Sequence, residues 1–288
     1  MKRTAQCATC SALGLILLLS PGFNSLRAQP SEDIESPKHK AWDMLQTAAG
    51  SKRVSNRTNG IRALGLIRDD IRARTLAEDA LHDRNFQVRA AAATALGQMH
   101  AMASIPKLQK ALNDPKIPVV MAAAHSLRDL EDNASAYEVY YDLLTGERKS
   151  SEGLIAQQMQ TLKNPRELAK IGISEGIGFV PFAGIGWEAY RNLHKKDPNP
   201  VRAVAATYLA HDPDPATGRA LVRATGDKDW IVRAAAIEAI AQRGDASLLP
   251  KVELKLADRV EKVRYTAAAA VIRLSSLKHD QLSKNAAK

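Results

Sequence analysis

The chain contains almost no cysteine and few aromatic residues. Its two cysteines, Cys7 and Cys10, both precede an apolar run near the N-terminus, and aromatic residues fill 5% of the 288 positions. A C-x-x-C pair is typical of redox or metal sites, but inside an export signal we interpret it as coincidence. Low aromatic content disfavours a β-sandwich, because strands favour β-branched and aromatic residues. The many alanines instead favour helices that pack closely side by side.

Catalytic and cofactor-binding motifs are also missing from the sequence. The seven histidines form no H-E-x-x-H and no Cys/His set. No G-x-S-x-G is present for a serine nucleophile, and "HDPDP" at 211–215 is interpreted as a capped turn rather than a metal site. The basic residues lack interleaved aromatics, which disfavours nucleic-acid binding. The sequence therefore predicts no catalytic residue, no metal site and no cofactor.

The N-terminus is typical of an export signal. Lys2 and Arg3 precede the apolar run at 12–20, and small residues near Ala28 offer a cleavage point before Gln29. We therefore predict a cleaved signal peptide and a periplasmic or secreted mature protein without cysteine. A membrane-anchored, uncleaved N-terminus is the alternative, although the apolar run is short for a membrane span.

Positive charge exceeds negative charge by a modest margin. The formal net charge is +10, and removal of the signal with Lys2, Arg3 and Arg27 lowers it to +7. Such an excess favours an acidic partner or an anionic lipid surface. The basic residues are scattered, however, and we interpret most of them as a solvated helical surface.

One phrase recurs along the chain, as "VRAAAATALG" at 88–97 and as "VRAAAIEAIA" at 232–241. The equivalent valines lie 31 residues apart, with one gap of 82 in the middle: Val88, Val119, Val201, Val232 and Val263. Most of them have an aspartate before and an arginine after: Asp83, Arg89, Asp114, Asp197, Arg202, Asp227, Arg233, Asp258 and Arg264. An earlier copy, "SNRTNGIRALG" at 55–65, fits a step of 32. A period near 31 is the signature of a solenoid.

Apolar residues within each unit have helical spacing. In one copy the apolar positions follow an i, i+3, i+4, i+7, i+8 pattern: Val232, Ala235, Ala236, Ala239 and Ile240. A more polar helix with a proline in its first turn stands before it. Each unit is therefore predicted to be a helix hairpin that buries its apolar stripe only by stacking on neighbours. We predict seven units, with terminal caps at both ends and second helices near 56–67, 87–99, 118–130, 151–163, 200–211, 230–243 and 260–275.

This unit resembles the HEAT repeat, and more narrowly the HEAT-like repeats of phycobilisome lyases. The resemblance is plainest in "DRNFQVRAAAATALGQM", "DKDWIVRAAAIEAIAQR" and "DRVEKVRYTAAAAVIRL". It implies an all-α, right-handed α-solenoid of armadillo type, and it implies little about activity because such repeats serve many roles. The expected divisions are a signal peptide at 1–28, a linker at 29–37, a solenoid at 38–277 with an insertion near 171–192, and a flexible tail at 278–288.

The recurrent charges have a predicted mechanical role. Each aspartate stands in the loop where a second helix begins, and a carboxylate there accepts backbone N–H bonds. Each arginine, one turn inside the helix, is expected to reach an aspartate of an adjacent unit. The result is an Asp/Arg ladder between units. We expect it to be interrupted in the middle, because Val120 replaces one arginine and the segment 150–163 has lost both charges.

About twenty residues interrupt the repeat in "IGISEGIGFVPFAGIGWEAYRN", at 171–192. The segment holds five glycines, and Glu175 is its only charge between Ile171 and Trp187. Three interpretations stay open: a buried loop, a hydrophobic surface for a partner, and a segment that touches a membrane. The second interpretation assigns partner binding to Phe179, Pro181, Phe182 and Trp187.

Together these features favour a non-enzymatic, exported scaffold. Its concave face and its hydrophobic insertion are expected to bind a protein or peptide, and nucleic acid is not expected as a partner. The resemblance to bilin-attaching lyases implies an alternative: a lyase or lyase subunit acting on a tetrapyrrole or another prosthetic group. A further alternative is a peripheral membrane adaptor that uses residues 171–187.

Overall fold

The computed structural model describes residues 36–145 and 199–286, and these residues are helical without any strand. The helices of the first segment are α1 (Pro37–Ala49), α2 (Val54–Ala63), α3 (Ile71–Ala80), α4 (Phe86–Gln98), α5 (Ile105–Ala111), α6 (Ile117–Asp129) and α7 (Asn133–Thr145). Those of the second are α8 (Asn199–Tyr208), α9 (Pro215–Ala224), α10 (Trp230–Arg243), α11 (Leu249–Glu253) and α12 (Glu261–Ala286). Short 3-10 helices extend several of them, among them Leu64–Leu66 after α2. The predicted all-α repeat fold is confirmed, while its handedness stays a prediction.

Short polar side chains begin the second helix of two of the described units. Asn85 precedes α4 and its side-chain oxygen accepts a hydrogen bond from the backbone N–H of Gln87 at 2.9 Å. Asp229 precedes α10 and accepts from the N–H of Ile231 at 2.7 Å. Such caps satisfy donors that a helix leaves unpaired in its first turn. At the other end of α10, Gly244 adopts a left-handed φ of 71° that stops the helix.

Small residues bring the second helices close together. Ala91, Ala92 and Ala93 of α4 are buried, and a Cβ added to Gly97 would lie 2.5 Å from Ser126 Oγ of α6. The Ser126 hydroxyl donates to the carbonyl of Ala93 at 2.9 Å, so the two backbones are joined where they approach. Close packing of this kind explains why alanine and glycine recur at these register positions.

The spatial order of the units differs from their order in the chain. The second helices pack in the order α8, α10, α12, α2, α4, α6. The last unit therefore stacks on the first, and both described segments contribute to one hydrophobic core. The expectation of terminal caps at both ends of the chain is wrong, because a 31-residue period reveals which segments are equivalent but not which equivalent units are neighbours.

The contact between the last and first units is extensive. Helix α1 packs along α12, with Trp42 and Leu45 of α1 buried in the shared core. Arg273 Nη1 donates to the carbonyl of Leu66 at 3.0 Å, and Asn56 Nδ2 donates to Glu261 Oε1 at 3.4 Å. Apolar burial and polar contacts thus join residues more than two hundred positions apart.

The C-terminal end is helical in the structure, and its flexibility stays a prediction. A flexible tail was expected at 278–288, whereas α12 continues as a helix to Ala286. Its side chains from Lys278 onward are exposed, so this last part of the helix protrudes beyond the packed core.

Candidate functional site

Arginine and aspartate residues of the repeat join successive units by bidentate ion pairs. In the tightest pair, Arg233 donates from Nε to Asp258 Oδ2 at 2.7 Å and from Nη2 to Asp258 Oδ1 at 2.9 Å. Both side chains are less than a tenth exposed. Arg89 holds Asp114 in the same way, at 2.6 and 2.9 Å. The fork geometry matches the planar carboxylate and fixes the register of one unit on the next.

Arg233 and Arg89 also donate hydrogen bonds to the backbone of their own units. Arg233 Nη1 donates to the carbonyls of Asp227 and Lys228, at 2.9 and 3.1 Å. Arg89 Nη1 does the same to the carbonyls of Asp83 and Arg84, at 2.9 and 3.4 Å. One guanidinium thus ties a loop of its own unit to the aspartate of the following unit.

The aspartates in turn stabilise the turns that precede the second helices. Asp83 Oδ1 accepts from the N–H of Asn85 at 2.8 Å, and Asp258 Oδ1 accepts from the N–H of Val260 at 2.9 Å. Burial alone would raise the pKa of both carboxyls, but hydrogen bonds from the paired arginine and from these backbone N–H groups bring each pKa below its ordinary value. The same balance lowers the pKa of Asp227.

The predicted ladder residues form these pairs wherever they are described, except Arg264, which pairs with no aspartate of another unit among the described residues. Asp227 pairs with Arg202, whose side chain is about half exposed, and Asp83 pairs with Arg57 at 2.7 Å. Arg57 was not among the predicted ladder residues, although the copy at 55–65 placed it in register with Arg89. Asp197 lies outside the described residues. The segment 150–163, where an interruption was expected, also lies outside them.

The residues predicted to bind a partner are outside the described part of the chain as well. These are Phe179, Pro181, Phe182 and Trp187. The three interpretations of the insertion therefore stay predictions.

The stack curves toward one face, which can be located from contacts between elements two units apart. Helix α10 touches the 3-10 helix Leu64–Leu66, although α12 lies between α10 and α2 in the stack. Such contacts arise only on the inside of a curve, where the intervening helix presents a small residue. Here that residue is Ala269, which is buried and occupies the same register as Arg62 and Glu238. The face of the stack that carries Arg62, Ala269 and Glu238 is therefore its inner, concave face.

Polar side chains of several second helices meet on this concave face. Loss of solvent around the Glu238 carboxyl raises its pKa to about 7, while the positive charge of Arg62 acts in the opposite direction. Gln242 Nε2 donates to Glu238 Oε1 at 3.3 Å. The Nε of Arg273 is buried, and no hydrogen-bond partner for it is found among the described residues. Sequence periodicity missed this cluster, because its members are spread over the whole chain and meet only through the curvature.

The described residues hold neither a metal site nor a membrane span. Across 36–145 and 199–286, no group of three or more His, Cys, Asp or Glu side chains is arranged to hold a metal ion. None of the described helices combines the length and the apolarity needed to cross a membrane.

A stack of helix hairpins, each packed on its neighbours, is the architecture of the α-solenoid class of repeat proteins. Within that class, a family model described as HEAT repeats matches residues 74–148 and 190–272, more than half of the chain. The chain therefore belongs to the HEAT-repeat family, as its repeat unit predicted. No curated protein is a significant match to it.

Two solved structures are similar to the chain at low identity. The complex of CpcE and CpcF of phycocyanin lyase from Nostoc sp. PCC7120 is 19% identical, with 90% of this chain and 99% of that chain covered and a TM-score of 0.33. Human deoxyhypusine hydroxylase in complex with glycerol is 15% identical, with 83% and 97% covered and a TM-score of 0.32. Neither similarity bears on activity.

Proposed function

We propose that this chain is a non-enzymatic, exported scaffold that holds a protein or peptide partner on its concave face. The proposal rests on a difference between the side chains on the two sides of the second helices. Apolar residues and the ladder charges are engaged between units, whereas carboxyl, amide and guanidinium groups are gathered on the inside of the curve. Curved solenoids generally offer such extended concave surfaces to partners.

The chemistry of this face suits a polypeptide ligand. Amide groups such as that of Gln98, which is exposed on α4, both donate and accept hydrogen bonds. An extended peptide offers the complementary N–H and C=O groups along its whole length. Glu238, whose carboxyl has a pKa of about 7, and the cationic guanidinium of Arg273 add further polar groups, so the partner is expected to be a mixed polar segment rather than a purely acidic one.

Site-specific photo-crosslinking tests this assignment. A photoreactive residue is placed at Thr94 or Gln98 on the concave side of α4, and for comparison at the exposed Lys110 of α5 or Lys251 of α11. In cells that make the protein, a discrete crosslinked species is expected from the concave positions and not from the other two. Equal crosslinking from all four positions, or none from Thr94 and Gln98, would contradict the proposal.

Export is part of the proposal and has its own test. Fractionation of these cells should place the protein outside the cytoplasm, and N-terminal sequencing should begin near Gln29. A protein that starts at Met1 and stays in the cytoplasm contradicts export but leaves the concave-face assignment standing. The tetrapyrrole alternative predicts a change in bilin absorbance when the protein is added, and the membrane alternative predicts sedimentation with anionic vesicles.

A further inference from the structure

The Arg/Asp ladder lacks a carboxylate where the last unit stacks on the first. The aspartate lies six residues before the ladder arginine in other units, as in Asp83 before Arg89 and Asp227 before Arg233. In the first unit the corresponding residue is Ser51, six residues before Arg57. The last unit, which stacks on the first, therefore meets the hydroxyl of Ser51 instead of a carboxylate.

Hydrogen bonds confirm that Ser51 occupies the aspartate position. Arg57 Nη1 donates to the carbonyls of Ser51 and Lys52, at 2.9 and 3.2 Å, just as Arg89 Nη1 donates to those of Asp83 and Arg84. Ser51 Oγ accepts from the N–H of Arg53 at 3.2 Å, which is the turn contact that an aspartate makes elsewhere. Ser51 thus keeps the local role of the aspartate but cannot bind the arginine of the unit below.

That arginine is Arg264, and its guanidinium is already in the ladder position. Its Nη1 donates to the carbonyl of Asp258 at 2.7 Å, as in the other units. Across the described segments, its Nε and Nη2 edge binds no carboxylate of the next unit, and Glu261 Oε1 stands 3.7 Å from Nη2, beyond hydrogen-bonding distance. A donor fork that other units use is left open here, with a side chain about a quarter exposed.

The open fork faces a cleft of about 370 Å³. Arg264 and Tyr265 form one side of it, and Lys40, Thr47, Ser51 and Asn56 of the first unit contribute to the other. The volume lies within the range of small-ligand sites. Asp43 also borders the cleft, but its carboxylate lies 3.3 Å from His39 Nε2. The cleft therefore combines two basic side chains and neutral hydrogen-bonding groups with one carboxylate, that of Asp43, around an unfilled position of the ladder.

We propose that this cleft binds the carboxylate group of an external ligand, which takes the place of the missing ladder aspartate on Arg264. A carboxylate fits because the guanidinium fork binds it through two parallel bonds, as at Asp258 and Asp114. Ser51 Oγ and Lys40 supply further donors. The ligand is a small carboxylic acid or the free C-terminus of a peptide. The site is separate from the concave face, so it stands whether or not the proposed function holds.

Titration of the purified protein with model carboxylates tests the site. N-acetylglycine mimics a peptide C-terminus, N-acetylglycinamide is its neutral match, and acetate and inorganic phosphate are further probes. N-acetylglycine should raise the melting temperature and shift the Arg264 Nε–H resonance, and the amide should do neither. Acetate as strong as N-acetylglycine identifies a small acid as the ligand, whereas tighter binding of N-acetylglycine identifies a peptide terminus.

Variants at the serine provide the matched control. Ser51→Asp should complete the ladder, raise the melting temperature without ligand, and weaken N-acetylglycine binding at least tenfold. Ser51→Asn, which adds similar bulk without charge, should retain binding within about threefold, and Arg264→Gln should lose it. Unchanged binding in Ser51→Asp or Arg264→Gln, or equal responses to N-acetylglycine, its amide and phosphate, would overturn the proposal.

Discussion

Removal of the Asp258 carboxylate is the sharpest test of the ladder. The Asp258 carboxylate accepts three hydrogen bonds, two from Arg233 and one from the N–H of Val260. In Asp258→Ala the Arg233 guanidinium, 6% exposed, keeps only its bonds to backbone carbonyls. Loss of one partner of a buried ion pair costs about 3–5 kcal/mol, because the other charge stays buried without compensation. We expect a decrease of this size in the free energy of unfolding.

Asp227→Ala is the matched control for this prediction. Asp227 makes the same turn contact, with the N–H of Asp229 at 2.9 Å, but its partner Arg202 is 48% exposed. An exposed pair contributes about 0–1 kcal/mol and a lost cap costs about 1 kcal/mol, so this variant should lose only about 1–2 kcal/mol. The difference between the two variants isolates the buried guanidinium.

Urea unfolding followed by circular dichroism at 222 nm measures both variants. Hydrogen exchange at Val260 and Asp229 locates the effect, since units of a solenoid can unfold separately. A double variant, Arg233→Met with Asp258→Ala, should recover much of the lost stability because no charge is then left buried. Equal losses in the two aspartate variants, or no recovery in the double variant, would refute the reasoning.

Four further predictions concern packing and pH. Gly97→Ala should destabilise the protein by about 1–3 kcal/mol in thermal or urea unfolding, because its Cβ would collide with Ser126. Gly218→Ala should stabilise it by up to about 1 kcal/mol, because the nearest atom would be 3.7 Å away and alanine favours a helix. The ladder carboxyls have lowered pKa values in the folded state, so their contribution to stability is present above the unfolded pKa near 4 and is lost as the pH falls further. Unfolding measured from pH 6 to pH 2 should show this loss of stability. A free energy of unfolding that does not change over this range would contradict the prediction. The pKa of Glu238 is instead raised to about 7, so stability should decline as the pH rises from about 4 to 7, and Glu238→Gln should abolish that decline in the same measurement.

The sequence predicted the repeat unit and its charges well because both are local and periodic. The spacing of Asp114 after Arg89 was visible in one dimension, and stacking of successive hairpins brings the two side chains together. Arg57 was missed as a ladder member because its copy carries Ser51 and Asn56 where other copies carry aspartate and valine. Ser51 was also visible in the sequence, but only the stacking of the last unit on the first shows that it leaves Arg264 without a ladder carboxylate.

The concave cluster could not be predicted for a different reason. Periodicity shows that Glu238 and Arg62 occupy the same register, but their proximity depends on how far the stack curves around Ala269. Curvature accumulates from small rotations at each interface, and those rotations depend on side-chain packing rather than on spacing. The insertion has no repeat to align with, so its composition alone left three interpretations open.

The closure of the last unit on the first affects how the chain reaches its native state. Most interfaces join segments close in sequence, whereas the contacts of Asn56 with Glu261 and of Arg273 with Leu66 span 205 and 207 positions. Distant contacts form late because the entropy of loop closure opposes them. Helix α1 precedes α12 by more than two hundred residues in the chain, so its contact with α12 forms only after nearly all the intervening residues have been synthesised. A circular permutant that links Ala286 to Pro37 and opens the chain between residues 145 and 199 would make this contact local, and it should refold faster than the natural connectivity.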